Sequence, residues 1–179
     1  PELQWLELQN TLITDAGLRH LKDLTSLQQL FLHTTRIRDA GLEHLKSLTG
    51  LRQLALGNTA ITDVGLSHLK GLTELQFLGL LNTQITDAGL AHLKDLTKLE
   101  TLILGGTRIT DAGLEHLKGL TKLQLGLSNT KATARGPALH KAAAAGDLAR
   151  VQSLLAQGAD ANEKDKSGST PLHRAADNG

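Results

Sequence analysis

The sequence predicts an elongated α/β solenoid, in which short parallel strands and short helices alternate along the chain. Three observations support this fold class. The chain repeats itself with a period of 24 residues over most of its length. Within each unit, leucines first alternate with variable residues and then recur three residues apart, which is typical of a strand followed by a helix. A fixed period of roughly 20 to 50 residues also indicates coils that each contact only their neighbours.

Five full units form the first part of the chain, with the common template LxxLxLxxTxITDAGLxHLKxLTx. They begin at Leu3, Leu27, Leu51, Leu75 and Leu99. A shortened sixth unit begins at Leu123, and the pattern ends at Thr130. Strands that repeat in one direction at a fixed period pair in parallel, about 4.8 Å apart. We therefore expect one parallel sheet, with the helices on the opposite side.

Each predicted helix begins at a Thr-Asp pair, and the side-chain oxygens of these residue types cap helix starts. In the second 24-residue repeat the pair is Arg38-Asp39, which keeps only the aspartate. We therefore predict that the aspartate is the cap. A glycine follows two residues later in every unit, which indicates close packing against the adjacent coil. These glycines are Gly17, Gly41, Gly65, Gly89 and Gly113.

Charge and composition argue against several classes of function. The 179-residue chain has 19 basic and 18 acidic residues, so there is no general attraction to nucleic acid or anionic lipid. No apolar run approaches the roughly 20 residues that cross a bilayer. The chain has no cysteine, which excludes disulfides, thiolate metal sites and a cysteine nucleophile. We therefore expect a cytoplasmic protein that binds neither nucleic acid nor membrane.

The segment LxxLxLxxT followed by ITDAGLxHLKxL resembles the leucine-rich repeat family from Leu3 to Thr130. The resemblance implies a right-handed horseshoe whose parallel β-sheet lines the concave face, so we assign residues 1–130 to this solenoid. Threonine stands where the family usually has asparagine or cysteine, and a hydroxyl offers the turn backbone fewer hydrogen bonds. These threonines are Thr11, Thr35, Thr59, Thr83, Thr107 and Thr130.

The concave face is the predicted binding surface. By alternation, the third, fifth and seventh residues of each unit point away from the core. The three aromatic residues of the chain, Trp5, Phe31 and Phe77, all fall at these positions. Exposed aromatic side chains usually mark a partner site, and the resemblance implies a protein partner. The candidate residues here are Trp5, Glu7, Phe31, His33, Arg36, Arg52, Gln53, Phe77, Leu81, Ile103 and Arg108.

Two alternatives to partner binding stay open for these aromatic residues. Aromatic side chains favour β-strands in general, so the rings could serve the sheet alone. Trp5 could also be buried under a further coil.

A histidine recurs in every unit, at His20, His44, His68, His92 and His116. A column of imidazoles could bind Zn²⁺ or sense acid. However, a lysine recurs two residues later in each unit, which disfavours a bound cation. We therefore favour a structural role and predict no metal and no cofactor. Because protonation would place like charges in a row, we predict lower stability in mild acid.

A second repeat pattern follows a predicted linker at residues 131–136. The pair Leu139-His140 recurs 33 residues later as Leu172-His173, so residues 137–179 contain one unit and the first helix of another. The expected structure of this segment is entirely α-helical.

Two helices are predicted in the first of these units. One runs from Ala138 to Ala145 and the other from Leu148 to Gln157. The second has an apolar stripe that we expect to face inward, formed by Val151, Leu154 and Leu155.

This segment resembles an ankyrin repeat. Gly168 to His173 matches the start of the family's repeat, and Gly158 to Asn162 matches its turn. The resemblance implies protein binding through the projecting turn, which nominates Lys164 and Lys166. A single unit is fewer than the roughly three that such stacks need. The segment therefore either packs on the last leucine-rich coil or is incomplete, and we expect the natural ends of the protein to be missing.

The pattern favours a protein-protein interaction scaffold over an enzyme. Catalysis needs unlike polar groups that converge on one site, whereas repetition produces rows of like residues, and no phosphate-binding loop or nucleophile motif is present. We predict a protein partner and no small-molecule substrate. The alternative is a structural or regulatory segment of a larger multidomain protein whose catalytic domain lies elsewhere.

Overall fold

The computed structural model describes residues 2–128, 130, 136–156, 159, 161–162, 164 and 167–176. The chain divides into two compact units, Pro1–Ala132 and Thr133–Gly179. Within the described residues, no helix is both long and apolar enough to cross a membrane.

The first unit contains one parallel sheet with the strand order β1-β2-β3-β4-β5-β6. The strands are β1 (Trp5–Glu7), β2 (Gln29–Phe31), β3 (Gln53–Ala55), β4 (Phe77–Gly79), β5 (Thr101–Ile103) and β6 (Gln124–Gly126). Leu6 pairs with Leu30, one full period later, whereas Leu102 pairs with Leu125, one residue short of a period. The predicted parallel pairing is confirmed, and the missing residue of the sixth unit lies before β6.

A short helix crosses the opposite side of each full coil. These helices are α1 (Asp15–Leu18), α2 (Asp39–Leu42), α3 (Asp63–Ser67), α4 (Asp87–Leu90) and α5 (Asp111–Leu114). Tighter 3₁₀ turns continue four of them, at Arg19–Leu21, Glu43–Leu45, Ala91–Leu93 and Glu115–Leu117. The leucines of strand, helix and turn meet in one continuous core, in which residues such as Leu54, Leu66 and Leu78 are fully buried. Each fully buried leucine contributes roughly 1.5 to 3 kcal/mol.

The repeated threonines close the turn that follows each strand. The Thr59 hydroxyl donates to the Leu56 carbonyl oxygen at 2.5 Å, and the corresponding bond is present at every one of the six threonines. In the first five coils the residue before the threonine has a positive φ, for example 54° at Asn58 and 53° at Asn82, and in the fifth coil this residue is Gly106. Asparagine tolerates this left-handed conformation better than most residues, so the turn can reverse the chain without a glycine.

The aspartate at each helix start does not cap its own helix, and the prediction that it does is wrong. The cap position is the residue before it, and in the first four coils the aspartate carboxylate instead binds the next coil. Asp63 Oδ1 accepts from the backbone N–H of Thr86 at 2.8 Å, and Asp63 Oδ2 accepts from the Thr86 hydroxyl at 2.6 Å. Asp39 and Asp87 bind the following coil in the same way. We call this bond the inter-coil carboxylate contact.

The helix glycines make room for the inter-coil carboxylate contact. A Cβ atom on Gly89 would overlap the Asp63 carboxylate and lie 3.1 Å from Ile85 Cγ2. The same aspartate of the preceding coil faces Gly41, Gly65 and Gly113. The predicted close packing against the adjacent coil is therefore confirmed, and the neighbouring group is a charged side chain.

The second unit contains helices α6 (Gly136–Ala144), α7 (Leu148–Ala156) and α8 (Pro171–Ala176). Its small core contains Leu139 and Leu154, and buried His140 contacts the Ser169 carbonyl oxygen through Nε2 at 2.8 Å. The prediction that Leu155 faces inward is wrong, because its side chain is 41% exposed. Leu155 follows Leu154 directly, and consecutive residues lie about 100° apart around a helix.

Replacing Gly89 by alanine should destabilise the first unit. Alanine normally stabilises a helix by about 1 kcal/mol relative to glycine, but here the new methyl group displaces the Asp63 carboxylate, so we expect a net loss of about 1 to 3 kcal/mol. Urea denaturation of both proteins measures the difference. The control is Gly71→Ala, because no atom lies within 4 Å of a Cβ at that position. Equal free energies of unfolding for Gly89→Ala and Gly71→Ala would contradict the inter-coil carboxylate contact.

Candidate protein-binding surface

The concave face is the outward side of the six-stranded sheet together with the second residue after each strand, such as Gln9 and Leu81. The middle residue of β2, β3, β4 and β5 points into the leucine core and is buried, while the residues on either side of it point outward. Each strand is hydrogen-bonded in parallel to its neighbours. The outward side chains are therefore fixed at regular spacings, about 4.8 Å apart between strands.

The three aromatic residues lie on this face and have contact with water. The Trp5 side chain is 58% exposed, and Phe31 and Phe77 are half-buried. Trp5 is therefore not covered within the described residues, and none of the three rings belongs to the leucine core. Their outward position agrees with the period-two alternation.

The later strands form an apolar part of the concave face. Glycines provide a flat floor, and larger side chains from neighbouring strands lie over it. Leu81 Cδ1 lies 2.7 Å from where a Cβ of Gly105 would be, and Ile103 Cδ1 lies 2.8 Å from the same point on Gly126. Leu81 is still 39% exposed. Its apolar surface is therefore available for contact.

The first strands form a polar part of the same face. Glu7 is exposed at the end of β1, and Gln9 Nε2 donates to Glu7 Oε2 at 3.2 Å. Gln9 Oε1 is buried without a hydrogen-bond partner among the described residues. His33 is half-buried one coil further along, opposite Gln9. Gln9 was not among the predicted site residues. It is the seventh residue of the first 24-residue repeat and lies two residues after Glu7, so the strand alternation could have identified it.

The remaining candidates lie beside the strands or in the second unit. Gln53 lies on β3 with its side chain half-buried. Arg52 precedes β3, whereas Arg36 and Arg108 follow β2 and β5, so the exposed arginines lie at opposite ends of the strands and form no single patch. Lys164 is exposed in the second unit. Lys166 lies outside the described residues.

The histidine column follows the helix side of the coils. His20 and His116 are exposed, and the other three are half-buried. No group of three or more metal-binding side chains occurs in the described part of the chain. Burial lowers the pKa of His92 below its ordinary value of 6.5, the charge of Lys70 on the preceding coil lowers it further, and Asp63 partly opposes both. The fold therefore favours the neutral form of His92.

Acid should destabilise the first unit through His92. Because the folded pKa lies below the unfolded value, the contribution of neutral His92 is complete above about pH 6.5 and is lost as the pH falls through the folded pKa. Thermal melting between about pH 7.5 and pH 5.5 should show a decrease in melting temperature that is smaller in the His92→Gln variant. His116→Gln, at the exposed histidine of the next coil, is the control. An equal decrease in wild type and His92→Gln would contradict this assignment.

Comparisons with known proteins agree with the two repeat patterns. The family profile for ankyrin repeats (many copies) matches residues 139–179. Among solved structures, an internalin (inlF) from Listeria monocytogenes str. 4b F2365 is similar, with a TM-score of 0.60 and 27% identity over 72% of this chain and 42% of that one. Internalin C2 (inlC2) from the same organism has a TM-score of 0.54 and 30% identity over 73% of this chain and 63% of that one.

The chain thus spans 42% and 63% of the lengths of these two internalins. No curated protein sequence matches it significantly. The internalins are leucine-rich repeat proteins, and the six parallel strands and repeated helices of this chain match their horseshoe. The chain thus combines a 24-residue leucine-rich repeat and a parallel sheet similar to those of the internalins with a segment that matches the ankyrin-repeat family profile.

Proposed function

We propose that the chain is a protein-interaction scaffold that binds a protein partner on the concave face of its leucine-rich sheet. The observation that carries this proposal is the exposure of Trp5 to 58% on a sheet face that also presents Phe31 and Phe77. A few hot-spot residues supply most of the binding energy at protein interfaces, and tryptophan is among the residue types enriched at hot spots, while phenylalanine is enriched in interface cores. Leucine-rich and ankyrin repeats are also typical of interaction modules.

The backbone beneath this face favours binding. Consecutive strands exchange hydrogen bonds, such as Leu32 N–H to the Ala55 carbonyl oxygen at 2.8 Å and Leu56 N–H to the Gly79 carbonyl oxygen at 2.8 Å. The strands therefore need no further ordering when a partner binds. Ordering of loops and side chains on binding reduces affinity. Because the strands of this sheet are already ordered, a modest apolar contact area is enough to give measurable affinity.

The distribution of side chains favours a partner with two kinds of surface. The apolar part around Phe77, Leu81 and Ile103 suits an aliphatic or aromatic patch, whereas the part around Glu7 suits polar groups. We propose the second unit, with Lys164 and Lys166, as an additional contact region. The predicted linker, apart from Gly136, which begins α6, would then connect the two regions.

A triple substitution tests this proposal. Trp5→Ala, Phe31→Ala and Phe77→Ala together should reduce capture of the bound protein by about tenfold or more, because each ring is a candidate hot spot worth roughly 1 to 2 kcal/mol. The measurement is affinity capture from cell lysate with the immobilised full chain, followed by quantitative mass spectrometry of the captured proteins.

The matched control is the double variant Leu12→Ala and Val64→Ala. Both residues are exposed apolar side chains of the first unit that lie outside the strands, so the control removes exposed apolar surface elsewhere. Circular dichroism verifies that all variants are folded. If the folded triple variant retains every partner of the wild type, the concave face is not the binding surface.

A further inference from the structure

The concave strands carry one charged side chain, at the beginning of the sheet. Glu7 is the last residue of β1 and is exposed. The outward residues of the other five strands are neutral, namely Gln29, Phe31, Gln53, Ala55, Phe77, Gly79, Thr101, Ile103, Gln124 and Gly126. A partner that covers this sheet therefore meets a single fixed negative charge at one position.

Two aromatic rings border this carboxylate. Trp5 precedes Glu7 by two residues on the same side of β1, and Phe31 is the partner of Glu7 in the register of β1 with β2. Same-side neighbours lie roughly 7 Å apart along a strand and about 4.8 Å apart across it. Aromatic faces attract cations that lie within about 6 Å of the ring centre. A cation bound to Glu7 would therefore lie within reach of both rings.

Gln9 contributes a second acceptor on the other side of Glu7. Its amide nitrogen donates to Glu7 at 3.2 Å, which is a long bond. Gln9 Oε1 is the one buried side-chain oxygen or nitrogen that lacks a hydrogen-bond partner in the described part of the chain. Leaving a buried acceptor without a donor is destabilising. A hydrogen-bond donor on a bound partner would satisfy Gln9 Oε1 once the Gln9 amide rotates toward it, and this bond would stabilise the bound state.

No cation of the described residues occupies this position. The ion pairs in this part of the chain join Lys46 with Glu43, Lys98 with Glu74, and Lys118 with Glu115, and none of them includes Glu7. The carboxylate and the two rings thus present an acceptor and aromatic faces to the surface, and the hydrogen bond from Gln9 is an internal contact of the carboxylate.

We propose that Trp5, Glu7, Gln9 and Phe31 form a subsite for the guanidinium group of an arginine on the partner protein. This inference rests on the proposed function, because it identifies one chemical group of the partner that the concave face binds. A guanidinium group is planar, donates two parallel hydrogen bonds to a carboxylate, and stacks on aromatic rings. A lysine ammonium group would keep the charge contact but lose the forked and stacked geometry.

The test uses the full chain and two small probes, N-acetyl-arginine amide and its uncharged analogue N-acetyl-citrulline amide. The chain has one tryptophan, so the fluorescence and the indole N–H resonance of Trp5 report binding at the subsite alone. We expect saturable binding of the arginine probe that is about tenfold tighter than that of the citrulline probe. Glu7→Gln should weaken the arginine probe by about the same factor.

Glu100→Gln is the matched control, because Glu100 is an exposed carboxylate of the first unit that lies just outside β5. It should leave the affinity for the arginine probe unchanged. Equal affinities for the two probes, or an arginine affinity that Glu7→Gln does not change, would overturn the subsite.

The outcome separates this inference from the proposed function. If the arginine probe fails to bind while the triple aromatic variant still loses its captured partner, the subsite is wrong and the scaffold function stands. If the probe binds as expected while capture does not depend on the aromatic residues, the subsite stands as an arginine site and the proposed role of the concave face is wrong.

Discussion

The inter-coil carboxylate contact is the interaction on which the rest of the first unit depends. Each coil is too small to form a core alone, so its leucines are buried only when the next coil lies in register. Asp63 fixes that register on the helix side through two bonds to Thr86, and the strand hydrogen bonds fix it on the sheet side. The positions of the side chains on the concave face follow from this stacking.

The same stacking explains why the concave face can vary while the core cannot. The core positions are leucine or isoleucine in nearly every coil, because each is surrounded by the corresponding residues of its neighbours. The outward positions contact only the side chains beside them, so they change from Glu7 in the first coil to Phe31 and then Ala55. A regular scaffold therefore presents an irregular surface, and that surface divides into a polar part at β1 and an apolar part at β4 and β5.

Much of the fold could be predicted from the sequence, because a fixed period specifies parallel pairing directly. The role of the aspartate could not, because in a repeat an intra-coil bond and an inter-coil bond involve the same residue types. The one exception was informative: at Arg38 the threonine hydroxyl is absent, and Asp15 still accepts from the Arg38 backbone N–H at 2.7 Å. The bond that is common to all these coils is therefore the backbone bond. A helix-capping rule applied to one coil alone misses it.

The candidate binding surface was predictable only in part. Alternation along the strands placed Trp5, Phe31 and Phe77 outward, as the structure also does. The partnerless oxygen of Gln9 depends on a side-chain conformation and on burial by neighbours, which no residue pattern specifies. The orientation of Leu155 was missed for a similar reason, since both Leu154 and Leu155 are apolar and only the packing of the helices decides which one is buried.

Native-state hydrogen exchange tests the central claim most directly. The backbone N–H groups of Thr62, Thr86 and Thr110 donate to carboxylates of the preceding coil, so each should exchange as slowly as the amides of the core residues Leu56 and Leu80, which donate to the next strand. Slow exchange at all three would support carboxylate-fixed stacking, because an amide that bonds only to water exchanges rapidly. Rapid exchange at these three amides in a chain whose strand amides stay protected would contradict it.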